Sequence, residues 1–121
     1  MYILAVDACR ESLCDLSDKL RQIFPEDTIA SFSDPLSALK FGNTYGVDML
    51  FTDVRLRPLD GYELIKMLQQ KSPLFAFVVS GSAEKPDDLS WMNVSGCFTK
   101  PVSTEELILM RQKLYPSSRT G

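Results

Sequence analysis

The chain contains no histidine. That one absence removes serine–histidine–aspartate triads, cysteine–histidine pairs and imidazole metal sites together. Cysteine is scarce as well: Cys9, Cys14 and Cys97 are odd in number and show no CxxC spacing. Neither a four-ligand zinc site nor a framework of paired disulfides is supported. The three read as buried thiols of a reducing cytosol, with Cys9, near the end of a predicted strand, the one open to redox sensitivity. Basic residues are not in excess, since 13 Lys and Arg stand against 16 Asp and Glu for a formal net charge of −3. With no cationic stripe to displace counterions, direct nucleic-acid binding is not expected. No apolar run approaches the roughly 20 residues that span a bilayer. The basic start and small-residue cleavage site of a signal peptide are missing too, so the expected location is the cytoplasm, away from membranes. No glycine-rich loop follows the first apolar run, which argues against a dinucleotide or flavin binder.

What is present is ordinary for a soluble domain: 121 residues, 45% apolar and 24% charged, enough for one compact core. Residues 1–116 read as that domain and 117–121 as a tail or linker stub. Apolar runs at 2–6, 28–32, 48–52, 75–79 and 97–99 read as strands. Between and after them lie five helical stretches. Residues 10–24 carry Leu13, Leu16, Leu20, Ile23 and Phe24 at helical spacing, and Pro25 stops them. Asp34-Pro35 opens the next helix as cap and first turn, with Leu36 and Leu39 expected to point inward. Asp60 and Glu63 form a capping box before Leu64, Ile65, Met67 and Leu68, and Ser103 to Glu106 form another before a helix reaching about Tyr115. The weakest stretch, 84–93, is interrupted by Pro86 but offers Leu89, Trp91 and Met92 for burial. Strands alternating with helices predict an α/β fold: a flavodoxin-like, doubly wound, five-stranded parallel sheet of order 2-1-3-4-5 with helices on both faces.

Four polar residues fall at carboxyl ends of predicted strands: Asp7, Asp53, Ser80 and Lys100. In an open parallel sheet those ends share one edge, and ligands bind there where the strand order reverses. The expected order makes Asp7 and Asp53 neighbours at the reversal, with Ser80 and Lys100 from the next two strands. Two close carboxylates hold a hard divalent cation such as Mg²⁺. One of them can also attack phosphorus and become an aspartyl phosphate. A lysine offers a compact charge to phosphoryl oxygens, and a serine hydroxyl can donate to the same group. Taken singly, each residue has a plainer reading as a turn, cap or solvated side chain. Four of them on four strand ends favour the shared site.

The chain resembles a response regulator receiver domain of two-component signalling from Tyr2 to about Tyr115. The resemblance rests on Val6-Asp7, on DVRLRPLDG at 53–61, on Ser80-Gly81 and on Lys100-Pro101. It implies that Asp53 accepts a phosphoryl group from a histidine kinase or phosphotransfer protein. Asp7 is then an acidic-pocket residue, Ser80 the switch hydroxyl and Lys100 the phosphate partner. Mg²⁺ is held by Asp7, Asp53 and the backbone carbonyl of Arg55. The role is signalling rather than enzymatic, and the output is a downstream protein target or output domain. A homodimer through the last two predicted helices is left open.

Four departures bear on that role. Ala8 stands where receivers place a second acidic residue, which should weaken Mg²⁺. Leu56-Arg57 replaces a Met-Pro pair, with Pro58 one place later. Cys97 occupies the position of the reporting aromatic, while Phe98 faces the other side of the strand. The 84–93 helix is short, so the output face is atypical. The alternative is a degenerate receiver, a protein-interaction module independent of phosphorylation. A phosphatase of the haloacid dehalogenase type also uses a strand-end aspartate, but it needs an acid two residues on; Cys9 and Arg55 follow Asp7 and Asp53 at that distance.

Overall fold

A computed structural model describes residues 1–81 and 94–115. The chain order is β1 (Tyr2–Val6), α1 (Arg10–Ile23), β2 (Thr28–Phe32), α2 (Pro35–Tyr45), β3 (Met49–Asp53), α3 (Gly61–Gln69), β4 (Phe75–Ser80), β5 (Gly96–Thr99) and α4 (Thr104–Leu114). The five strands form one parallel sheet of order β2-β1-β3-β4-β5, as expected. Four helices lie among the described residues; the predicted helix over 84–93 and the tail at 117–121 lie outside them.

The central strands are apolar up to their carboxyl ends because both their faces are covered. Ile3 and Ala5 of β1, Met49 and Phe51 of β3, and Phe77 and Val79 of β4 pack against Leu13, Leu16 and Leu20 of α1 and Leu107 and Met110 of α4. Their neighbours Leu4, Val6, Leu50, Ala76 and Val78 face the opposite layer, with Ala38 of α2 and Leu64, Ile65 and Leu68 of α3. The two-residue period of each strand thus feeds two separate cores.

The helix starts are local chemistry. Asp34 accepts the Ser37 N–H at 2.9 Å and its hydroxyl at 2.7 Å. Asp60 accepts the Glu63 N–H at 2.9 Å, while Glu63 accepts the Asp60 N–H at 3.0 Å. Ser103 accepts the Glu106 N–H at 3.1 Å to open α4. Such caps are worth about 1 kcal/mol each.

Three inward assignments are corrected. Leu36 is 49% exposed, because Pro35, Ala38 and Gly42 form the inner stripe of α2, while Leu39 packs half-buried against the core as expected. Met67 is exposed because Leu64, Ile65 and Leu68 already set the inner face of α3. The cysteines, expected to be buried, are all free and exposed. Cys9 is the residue before α1, Cys14 falls off the inner stripe of α1, and Cys97 points away from the core that takes Phe98.

Candidate functional site

The carboxyl edge of the sheet gathers the polar residues that end its strands. Asp53 and Ser80 are the last residues of β3 and β4, and Asp7 and Lys100 lie one residue beyond β1 and β5. Backbone hydrogen bonds carry the sheet ladder through the outer two: Asp7 N–H donates to the Phe32 carbonyl at 3.1 Å, and Lys100 N–H to that of Ser80 at 2.8 Å. The strand order reverses between β1 and β3, so Asp7 and Asp53 come from adjacent strands on either side of the switch point.

Asp7, Asp53 and Ser80 are all buried. Burying a carboxylate is costly unless it is paired and hydrogen-bonded. Lys100 meets that requirement, for its Nζ lies 2.7 Å from Asp7 Oδ2 and 3.3 Å from Asp53 Oδ2. The second oxygen of Asp7 accepts the Cys9 N–H at 2.9 Å, which fixes the carboxylate across the start of α1. Burial alone lowers the pKa of the Lys100 ammonium. The hydrogen bond and charge of Asp7, followed by those of Asp53, outweigh it and hold the group above its ordinary value. The lysine is therefore charged throughout the physiological range.

The structure thus brings Asp7, Asp53 and Lys100 into one ion-paired trio, with Ser80 on the neighbouring strand end. Arg55 is exposed in the loop after β3, and Ala8 is exposed beside Asp7. The peptides before Pro58 and Pro101 are cis. A cleft of about 320 Å³ opens beside Asp7 and Lys100, between Glu11, Ser12 and Asp15 of α1 and the Lys100-to-Val102 loop; Asp53 is not among its lining residues.

Two supporting residues carry roles that sequence reasoning missed. A Cβ on Gly61 would collide with the backbone carbonyl of Asp53, and the Gly61 N–H donates to the Val54 carbonyl at 3.0 Å. Glycine alone lets α3 begin directly against the Asp53 backbone. Its place in the 53–61 motif was visible; the close approach was not. Lys19 of α1 donates to the Val102 carbonyl at 2.7 Å and pairs with Asp15 at 2.8 Å, tying α1 to the loop that follows Lys100. The Asp15–Lys19 spacing signals a helix pair, but nothing local signals the contact with Val102.

Asp7 and Asp53 offer carboxylate oxygens to one lysine, and two carboxylates against one ammonium leave the trio with a formal negative charge. That chemistry fits Mg²⁺, which accepts one or two carboxylates and keeps several waters. Among the described residues no group of three acidic, histidine or cysteine side chains joins to hold a metal.

Residues 3–112 match the family model described as response regulator receiver domain. Among solved structures, the signal receiver domain of a DNA-binding response regulator (merR) from Colwellia psychrerythraea is 21% identical with a TM-score of 0.81, covering 97% of this chain and 99% of that one. The N-terminal domain of a response regulator/sensory box/GGDEF protein from Carboxydothermus hydrogenoformans is 20% identical with a TM-score of 0.80, over 96% and 97%. The response regulator domain of Thermotoga maritima CheB is 20% identical with a TM-score of 0.76, over 98% of each. At these identities the likeness is one of fold. A comparison with curated proteins gives no match.

Proposed function

The chain belongs to the response regulator receiver domain family, and we propose that it is a phosphorylation-dependent signalling module that accepts a phosphoryl group on Asp53 and switches a protein-interaction face. The observation that carries this reading is the Lys100 ammonium held between the carboxylates of Asp7 and Asp53. A cation bound to the acceptor carboxylate is already placed to meet the oxygens of a phosphoryl group attached there.

In the proposed step the donor is a phosphohistidine on a histidine kinase or phosphotransfer protein. A carboxylate oxygen of Asp53 bonds to phosphorus as the phosphorus–nitrogen bond breaks, and the electron pair leaves with the imidazole. Lys100 exchanges its Asp53 contact for a phosphoryl oxygen, and the Ser80 hydroxyl donates to another. Asp7, Asp53 and the Arg55 carbonyl would hold Mg²⁺, which supplies neutralisation of the phosphoryl oxygens when bound. The phosphorylated face then engages a downstream target or output domain. The proposed location is the cytoplasm; among the described residues no helix is long and apolar enough to cross a membrane.

Incubation with acetyl phosphate and Mg²⁺ is expected to add one labile phosphoryl group to the wild type and none to Asp53→Asn, read by intact mass. Ala8 favours a second reading, a degenerate module in which Lys100 alone neutralises the pocket. Absence of an adduct, together with no heat of Mg²⁺ binding at millimolar metal, would replace the first reading with the second.

A further inference from the structure

We propose that Lys19 of α1 is a positioning residue for Lys100: by clamping the loop that follows β5, it sets how closely the Lys100 ammonium approaches Asp53. The inference rests on the reading of Asp53 as the phosphoryl acceptor.

β5 is a four-residue edge strand that pairs with β4 alone among the described residues. Its ladder ends at Lys100, whose N–H donates to the Ser80 carbonyl at 2.8 Å. Pro101 has no N–H with which to continue it. The next tie is the Val102 carbonyl, which accepts from the Lys19 ammonium at 2.7 Å. Val102 is buried, and no backbone N–H among the described residues donates to its carbonyl. Lys19 thus satisfies an acceptor that would be costly to leave unpaired, and it does so with a charged donor, the stronger kind of hydrogen bond. Asp15, one turn earlier on α1, holds the same ammonium at 2.8 Å and fixes its aim. Residues 100–102 are therefore held at both ends, to the sheet through Ser80 and to α1 through Lys19.

The two contacts of Lys100 show what this clamp controls. Its Nζ lies 2.7 Å from Asp7 but 3.3 Å from Asp53. The first is a full charge-assisted hydrogen bond, whereas the second lies beyond that range. A loop displaced by a fraction of an ångström loses the longer contact first. Lys19 acts through the backbone alone, since its own ion pair is with Asp15.

A double-mutant cycle tests this, read as the initial rate of adduct formation from acetyl phosphate and Mg²⁺ by intact mass. Lys19→Met is expected to slow the wild type about tenfold. In the Lys100→Ala background it should slow nothing further, because no ammonium is left to position. Lys19→Arg keeps a cationic donor and should restore most of the rate. A second readout does not involve phosphorylation. N-hydroxysuccinimide acetate should acetylate Lys100 several times faster in Lys19→Met than in the wild type, as followed by peptide mass spectrometry, since the loosened side chain is open to the reagent. Asp34→Ala removes a cap from α2, on the opposite face of the sheet, and should move neither readout. Equal slowing in both backgrounds, or unchanged acetylation of Lys100, overturns the proposal. An adduct on no variant, wild type included, overturns instead the reading of Asp53 and leaves acetylation to decide the role of Lys19.

Discussion

At the carboxyl edge of the sheet, two buried aspartates and a half-buried lysine answer one another within one chain, whereas along α4 a glutamate and a lysine stand exposed at opposite ends of a helix. The side chains are of similar kinds; their surroundings differ. In the pocket, desolvation makes an unpartnered charge costly, so the geometry is set by the requirement that each charge be met in place. On α4, water meets each charge adequately, so neither needs a partner in place.

Three measurements would break or sharpen this contrast. The largest effect is expected from Gly61→Ala, whose new methyl meets the Asp53 backbone. Displacing α3 should cost about 3 kcal/mol in urea unfolding and slow adduct formation on Asp53. A neutral result would show that the pocket backbone is not held by this close approach.

Next comes Lys100→Ala, which leaves two buried carboxylates without their cation. A loss of about 2 kcal/mol is expected, below that of a fully buried pair because the ammonium reaches solvent. Millimolar Mg²⁺ should restore part of it. The adduct on Asp53 should still form but no longer alter partner binding; an unchanged partner response would remove Lys100 from the switch. The folded-state pKa of Lys100 lies above its ordinary value of 10.5. Its stabilising contribution is accordingly complete below pH 10.5 and lost as the pH rises through the higher folded value. The stability gap between wild type and Lys100→Ala should stay constant from neutral pH to that point and then close.

The smallest effect compares one thiol from each region. Hydrogen bonds from the Ser12 backbone and side chain hold the Cys9 thiol below the usual range, while partial desolvation against the walls of the α4 groove pushes the otherwise exposed Cys97 above it. Since the thiolate is the nucleophile, iodoacetamide at neutral pH should label Cys9 several times faster than Cys97, as followed by peptide mass spectrometry. Equal rates would show that the two surroundings do not distinguish the thiols.

Much of this molecule was legible residue by residue. Asp34 with Ser37 and Asp60 with Glu63 are interactions within one turn of chain, and the apolar runs at β1, β3 and β4 announce strands covered on both faces. Leu36 and Met67 were misplaced because helix phase depends on which neighbours claim the inner stripe, and Ala38 or Leu68 cannot be ranked above them from periodicity alone. The exposed cysteines were misjudged for the same reason. Gly61 against Asp53, and Lys19 against Val102, are contacts between segments far apart in the chain, and no short-range pattern marks them.

Local chemistry in the primary structure settled the alternation of strands and helices and the identity of the four polar residues at the strand ends, because turns, caps and alternating burial act over a few residues. Packing alone settled that Lys100 lies between Asp7 and Asp53, that α3 starts on the Asp53 backbone, and that Glu106, Leu109 and Lys113 share one open groove. Those relations join residues distant along the chain, and their distances exist only once the order of the strands and the phase of each helix are set by the core.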